Sequence, residues 1–135
     1  MPLPESSTES HIQTFARMGF SREEMITLIA AGHTIGQVHA NVNPRIVSSG
    51  IKAFDDTRTA YDNHVALDYI RDIRTNPLAQ AYDPAFPERS SDSRIFASDG
   101  NVTISRYAAS SDAYMSETGA VLLRMFNEGP SSWQI

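Results

Sequence analysis

The first residue that could do chemistry is a histidine at the end of an apolar segment. His33 lies in AGHTIG (31–36), where glycines let the backbone turn. An imidazole in this position could bind a metal or move a proton. The alternative is a hydrogen-bonded histidine at a helix C-terminus, where the helix dipole favours the cationic ring. His39 follows six residues later, which is not the spacing of two ligands on one helical face.

A second group of candidate residues is rich in oxygen donors. In FDDTRTAYDN (54–63), Asp55 and Asp62 stand seven residues apart with Thr57 between them. Carboxylate and hydroxyl oxygens are the ligands that a hard cation selects, although the spacing is not that of an EF-hand. The alternative is a turn that leads into a helix with Asp62 as its N-cap. Asp99, in a Ser-Asp-Gly sequence, is in isolation an ordinary turn aspartate.

Helices must position these groups. Two Ser-x-x-Glu capping boxes, Ser6 with Glu9 and Ser21 with Glu24, predict the starts of the first two helices. His11 and His64 are expected to be exposed helix residues. Helical periodicity predicts further helix at about 62–72, 104–108 and 111–126. The stretches 34–62 and 80–100 are predicted as loop, with at most short extended pieces in the first. Gly129-Pro130 predicts the end of the last helix, and 127–135 are expected to form a flexible tail.

Composition narrows the class of protein. The chain has 135 residues, about one domain's worth, of which 41% are apolar and 20% charged. Its net charge of −5 and the lack of a basic face argue against nucleic-acid binding. No apolar run approaches the roughly 18 residues of a membrane-spanning helix, and the N-terminus lacks the pattern of a signal peptide. The absence of cysteine excludes disulfides and thiolate metal sites.

Four motifs together resemble a known family. GHTIG (32–36), FDxT (54–57), YDN (61–63) and SD (98–99) occur in the order and at the offsets seen in the proximal half of plant- and fungal-type haem peroxidases. The resemblance runs from about Pro2 to Phe126 and is strongest to fungal secreted members. It implies an all-α fold, a mainly helical proximal domain with long loops. Residues 1–135 would then form one domain, with the distal half of the enzyme absent.

The resemblance assigns roles to individual residues. His33 matches the axial ligand of haem b iron, Asp99 the carboxylate that accepts a hydrogen bond from the ligand's other nitrogen, and Phe54 the ring packed against the imidazole. A hydrogen-bonded imidazole donates more charge to iron. The proximal calcium site of secreted members is matched by oxygen donors throughout: Thr34, Asp55, Thr57, the carbonyl of Ala60, and Asp62.

The implied activity is the hydrogen peroxide-dependent one-electron oxidation of small organic or phenolic donors, outside the cell. Leu28 and His39 stand where lignin- and manganese-oxidising members carry tryptophan and a carboxylate, which disfavours those substrates. The family's distal arginine and histidine have no counterpart here, so we expect weak haem binding and little turnover from this chain alone. A distal domain or a second copy of the chain is expected to cover the haem face. The alternative is a non-catalytic, calcium-stabilised helical module that binds a partner.

Overall fold

A computed structural model describes the backbone of residues 3–133 and the side chains of residues 3–127. The six α-helices of this part of the chain are α1 Thr8–Arg17, α2 Arg22–His33, α3 His64–Ile70, α4 Ser91–Phe96, α5 Val102–Ala109 and α6 Ser111–Trp133. Two strands, β1 Gln37–His39 and β2 Ile51–Ala53, pair antiparallel, and 3₁₀ turns lie at Pro87–Ser90 and Ala97–Asp99. The predicted all-α fold class is confirmed.

Local capping explains where the first helices begin. The Ser21 hydroxyl accepts a hydrogen bond from the Glu24 amide at 3.2 Å, and the Glu24 carboxylate accepts one from the Ser21 amide at 2.8 Å. This second capping box is therefore confirmed. The first is wrong by one residue, because Ser7 caps α1 through the Ser10 amide while the Ser6 hydroxyl accepts from Leu3.

Helix α2 is the centre of the main core. Its residues Met25, Ile26 and Ala30 are fully buried. They belong to a cluster that also draws on helices α3 to α6, through Val65, Ala66, Ile95, Phe96, Ile104, Tyr107 and Tyr114. Each Å² of apolar surface removed from water stabilises the fold by about 25 cal/mol. The cluster therefore anchors α2 and fixes the position of its last residue, His33.

The segment between α2 and α3 forms a second, smaller core. Its two short strands are paired with Val38 opposite Lys52. Its buried side chains Val38, Val47 and Phe54 pack together with Leu78, which follows α3 in the chain. Gly36 lets the Phe54 ring approach the end of α2. A Cβ atom at position 36 would lie 2.9 Å from Cδ2 and Cε2 of Phe54 and 3.0 Å from the Gly32 carbonyl oxygen.

The remaining helices differ from their predictions in extent. Residues 91–96 form helix α4 where a loop was predicted, because a six-residue helix is too short to show helical periodicity. Helix α6 continues to Trp133 past Gly129-Pro130, whereas 127–135 were predicted as a flexible tail; residues 134 and 135 lie outside the described residues. None of the helices within residues 3–133 combines the length and apolarity needed to cross a membrane.

The close approach at Gly36 yields a stability prediction. Gly36→Ala should lower the free energy of unfolding by about 1–3 kcal/mol, because the Phe54 ring must move to admit the methyl group. Gly32→Ala is the matched control: no atom lies within 4 Å of its Cβ position in α2, so it should stabilise by about 0.5–1 kcal/mol. Urea unfolding of both variants measures the difference, and equal effects would contradict the packing role of Gly36.

Candidate functional site

The site is built around the His33 imidazole at the end of α2. Its Nδ1 lies 2.5 Å from Oδ2 of Asp92, a residue in the first turn of α4 whose side chain is 2% exposed. The Phe54 ring stacks on the imidazole with centroids 3.9 Å apart and planes 11° apart, so the predicted contact is observed. Burial acts to lower the pKa of His33, but the charge and hydrogen bond of Asp92 outweigh it and leave the pKa above its ordinary value.

Asp92 has a second buried partner. Its Oδ2 atom also accepts a hydrogen bond from Nδ2 of Asn76 at 2.8 Å. The Oδ1 atom of Asn76 in turn accepts from the Leu78 amide at 2.8 Å. The carboxylate is therefore hydrogen-bonded from two sides, as a buried charge requires. Sequence reasoning missed both Asp92 and Asn76.

The prediction that Asp99 bonds to the His33 ring is wrong. Asp99 accepts hydrogen bonds from the amides of Val102 and Thr103, both at 3.1 Å, and from the Thr103 hydroxyl at 2.5 Å. It therefore caps the start of α5. Ser-Asp pairs occur at 91–92, 98–99 and 111–112, and no local pattern indicates which of them faces His33. The feature that sets Asp92 apart is its place in the first turn of helix α4, Ser91–Phe96.

A cavity of about 530 Å³ opens beside the imidazole. His33 and Asp92 line it together with the apolar side chains of Phe15, Met18, Ile29, Leu78 and Ile95. Because Nδ1 of His33 is engaged by Asp92, the ring presents Nε2 as its other coordinating atom, and Nε2 has no hydrogen-bond partner among the described residues. The site thus combines one available imidazole nitrogen with an apolar wall.

His11 also lines this cavity, and the expectation that it is exposed is wrong. It is only 5% exposed, and its Nε2 atom has no hydrogen-bond partner among the described residues. Burial, followed by the positive charge of Arg94, lowers the pKa of His11 below its ordinary value. The ring is therefore neutral near pH 7.

The oxygen donors predicted to bind a cation are partly brought together. Oδ1 of Asp55 accepts a hydrogen bond from the Thr57 amide at 2.9 Å, and the Thr57 hydroxyl donates to Oδ1 of Asp62 at 2.9 Å. Oδ2 of Asp55 is buried and has no hydrogen-bond partner. Burial is the main cause that raises the pKa of Asp55, and the neighbouring carboxylates of Asp62 and Asp68 raise it further. A positive ion would give the buried Oδ2 atom a partner and offset the repulsion among these carboxylates.

The other two predicted cation ligands have their own contacts. The Thr34 hydroxyl donates to the Ala30 carbonyl at 2.9 Å and also bonds to the hydroxyl of Tyr114. The Ala60 amide donates to the Thr57 carbonyl at 2.9 Å, which closes the loop and leaves the Ala60 carbonyl without a hydrogen-bond partner among the described residues. Thr34 would therefore have to share its hydroxyl to serve as a ligand.

Three further titratable groups lie close together, Asp56, His64 and Asp68. Their carboxylate oxygens and ring nitrogen that could bind a metal lie within 4.8 Å of one another. His64 Nδ1 lies 2.6 Å from Oδ1 of Asp56, and the Asp56 amide donates to Oδ2 of Asp68 at 3.2 Å. The hydrogen bond that the His64 ring donates to the Asp56 carboxylate is the main cause that raises the pKa of His64. These bonds connect the loop to α3 and explain why the three side chains lie together.

The correction from Asp99 to Asp92 can be checked by titration. Stability from the raised His33 pKa is present below the unfolded value of about 6.5 and is lost as pH rises through the folded pKa. Asp92→Asn should lower the pKa of His33 in an NMR titration, because burial then dominates, and should remove this pH-dependent stability. Asp99→Asn should leave the His33 titration unchanged and cost about 0.5–2 kcal/mol through the weakened cap. A His33 pKa that falls in Asp99→Asn and is unchanged in Asp92→Asn would instead identify Asp99 as the partner of the ring.

Comparison with known proteins identifies related sequences. The family model described as "Peroxidase" matches residues 1–118. A WSC domain-containing protein of Arthroderma benhamiae is 36% identical over 135 residues, which cover 97% of this chain and 18% of that protein. Catalase-peroxidases of Vibrio vulnificus (strain YJ016) and Rhodobacter capsulatus are 31% and 37% identical over 83 and 71 residues, or 60% and 52% of this chain and 12% of each enzyme.

No solved structure matches this chain. The chain spans less than a fifth of the length of these relatives, since the shares of their length are 18% and 12%.

Proposed function

This chain belongs to the peroxidase family, and on that premise we propose that it holds a haem b group by binding the iron through His33. Family membership implies a peroxidase-type oxidoreductase with a haem cofactor. The observation that carries the proposal is the His33–Asp92 pair, which leaves Nε2 of the imidazole available beside an apolar cavity of about 530 Å³. An imidazole nitrogen is a preferred axial ligand of haem iron, and an apolar wall suits a porphyrin.

The residues around His33 prepare the ring for this role. Asp92 accepts the hydrogen bond from Nδ1 and so keeps the proton on that nitrogen, which leaves the lone pair on Nε2. The stacked Phe54 ring restricts rotation of the imidazole and shields one of its faces from water. When bound, haem would supply the redox chemistry with peroxide; this chain's part is to hold the ligand and tune its basicity.

The reaction we propose is the hydrogen peroxide-dependent oxidation of a small organic or phenolic donor. Its support is the family membership together with the ligand geometry at His33. We further propose that residues 1–135 form the proximal unit of a larger extracellular enzyme, in which a distal unit supplies the acid–base groups that handle peroxide. The small share of each relative that this chain covers is consistent with such an arrangement.

Haem binding is tested by optical titration of the protein with haemin. We expect His33→Ala to abolish the histidine-ligated spectrum and Asp92→Asn to weaken affinity by about 10- to 100-fold, as outer partners of metal-bound histidines do. His39→Ala and Asp99→Asn are the matched controls and should leave spectrum and affinity unchanged. An unaltered spectrum in His33→Ala would refute the assignment of the ligand.

A calcium site is proposed alongside the haem site, with Thr34, Asp55, Thr57, the carbonyl of Ala60 and Asp62 as ligands. The buried Oδ2 of Asp55, which has no hydrogen-bond partner, supports it. Because that observation is independent of haem, it also favours the second candidate function, a non-catalytic, calcium-stabilised helical module. Calcium binding without haem binding would distinguish this module from the enzyme.

Calcium is expected to raise the thermal stability of the protein. At a concentration of 100 times Kd the gain is about 2.7 kcal/mol, because the ion binds only the folded chain. Asp55→Asn should abolish the rise in Tm. Asp56→Asn is the matched control, because the Asp56 carboxylate bonds to His64 and is not a proposed calcium ligand. This variant should retain the rise in Tm. A chain whose Tm does not respond to calcium in differential scanning calorimetry would contradict the site.

A further inference from the structure

A buried asparagine, Asn76, bonds to the carboxylate that holds His33. It is 4% exposed and lies in the turn between α3 and the 3₁₀ turn at Pro87–Ser90. Its Nδ2 atom donates to Oδ2 of Asp92 at 2.8 Å, and the same oxygen lies 2.5 Å from Nδ1 of His33. One carboxylate oxygen therefore accepts from two N–H groups.

The direction of the Asn76 amide is determined by its neighbours. The Leu78 amide is a donor and the Asp92 carboxylate is an acceptor, so only one orientation of the Asn76 side chain satisfies both. Reversal would set oxygen against carboxylate and N–H against N–H. The backbone carbonyl of Asn76 is also bonded, by the Ala79 amide at 3.1 Å and by Nε2 of Gln80 at 2.7 Å. Asn76 thus has little freedom to move away.

Sharing an oxygen changes what the carboxylate does to the imidazole. A hydrogen bond to an ionised acceptor stabilises its negative charge and lowers its basicity. Apart from His33, Asn76 is the only group among the described residues that donates to the Asp92 side chain. The stacked ring at position 54 is a phenylalanine, which has no N–H or O–H to add.

We propose that Asn76 is a positioning residue that, through Asp92, sets how strongly the His33 imidazole donates charge to a metal at Nε2. By bonding to the same oxygen, the Asn76 amide weakens the hydrogen bond that Nδ1 of His33 donates to Asp92, and it orients the carboxylate toward the ring. Without the Asn76 donor, Oδ2 of Asp92 would accept from His33 alone, so the hydrogen bond from Nδ1 would strengthen and the ring would gain imidazolate character. The part concerning iron rests on the proposed function; the part concerning the His33–Asp92 hydrogen bond does not.

The first test uses the protein without haem. In Asn76→Leu, which keeps side-chain size but loses the donor, the His33 Nδ1 proton should move downfield in the NMR spectrum at fixed pH. Asn63→Leu is the matched control, because Asn63 is also buried and donates from Nδ2 to a backbone oxygen, that of Tyr107 at 2.9 Å. It should leave the His33 signal in place. An unmoved signal in Asn76→Leu would overturn the proposal.

The second test uses the haem-loaded protein. Asn76→Leu should lower the reduction potential of the iron and raise the frequency of the iron–histidine stretch in resonance Raman spectra, whereas Asn63→Leu should change neither. If the wild-type protein binds no haem, the proposed function fails, and the haem-free NMR test still decides the role of Asn76. If haem binds and both readouts stay unchanged in Asn76→Leu, the proposal about Asn76 fails while the proposed function stands.

A wild-type measurement covers the case in which Asn76→Leu does not fold. The Asn76 Nδ2 proton that faces Asp92 should exchange with solvent far more slowly than an amide proton of an exposed asparagine such as Asn41. Exchange of both Asn76 amide protons at the rate seen for Asn41 would overturn the proposed hydrogen bond.

Discussion

The hydrogen bond between His33 and Asp92 is the interaction on which the site depends. It joins the last residue of α2 to the first turn of α4 across 59 positions of sequence, and Asp92 is almost completely buried. A buried carboxylate is tolerated only when it is bonded or paired. Asp92 therefore holds His33 and Asn76 in set positions, and these three residues determine which imidazole nitrogen is available.

The two hydrophobic cores hold the partners of this bond in place. The main core anchors α2 and carries Ile95 and Phe96 of α4, so both ends of the hydrogen bond belong to one packed unit. The smaller core holds Phe54 against the other side of the imidazole. Gly36 is small enough to let that ring approach. Packing, rather than the histidine itself, fixes the plane of the ring.

The cation loop and the imidazole are linked through adjacent residues. Phe54 stacks on His33, and Asp55, the next residue, carries the buried oxygen that has no hydrogen-bond partner. The backbone at residues 54 and 55 therefore carries both the stacked ring and a proposed cation ligand. The bonds of Asp56 with His64 and Asp68 brace the same loop against α3. The loop that holds the proposed cation ligands thus also holds the ring that stacks on the histidine.

Features that arise from local interactions can be predicted from the order of the residues. Periodic apolar residues and the Ser21 capping box predicted the main helices. The contact of Phe54 with the imidazole was implied only by the resemblance to haem peroxidases. Tertiary packing selects Asp92 rather than another Ser-Asp carboxylate as the partner of His33, buries His11, and brings Asn76 to the shared carboxylate. These depend on contacts between distant residues, and neither a six-residue helix nor a turn asparagine carries a local signal of its long-range partner.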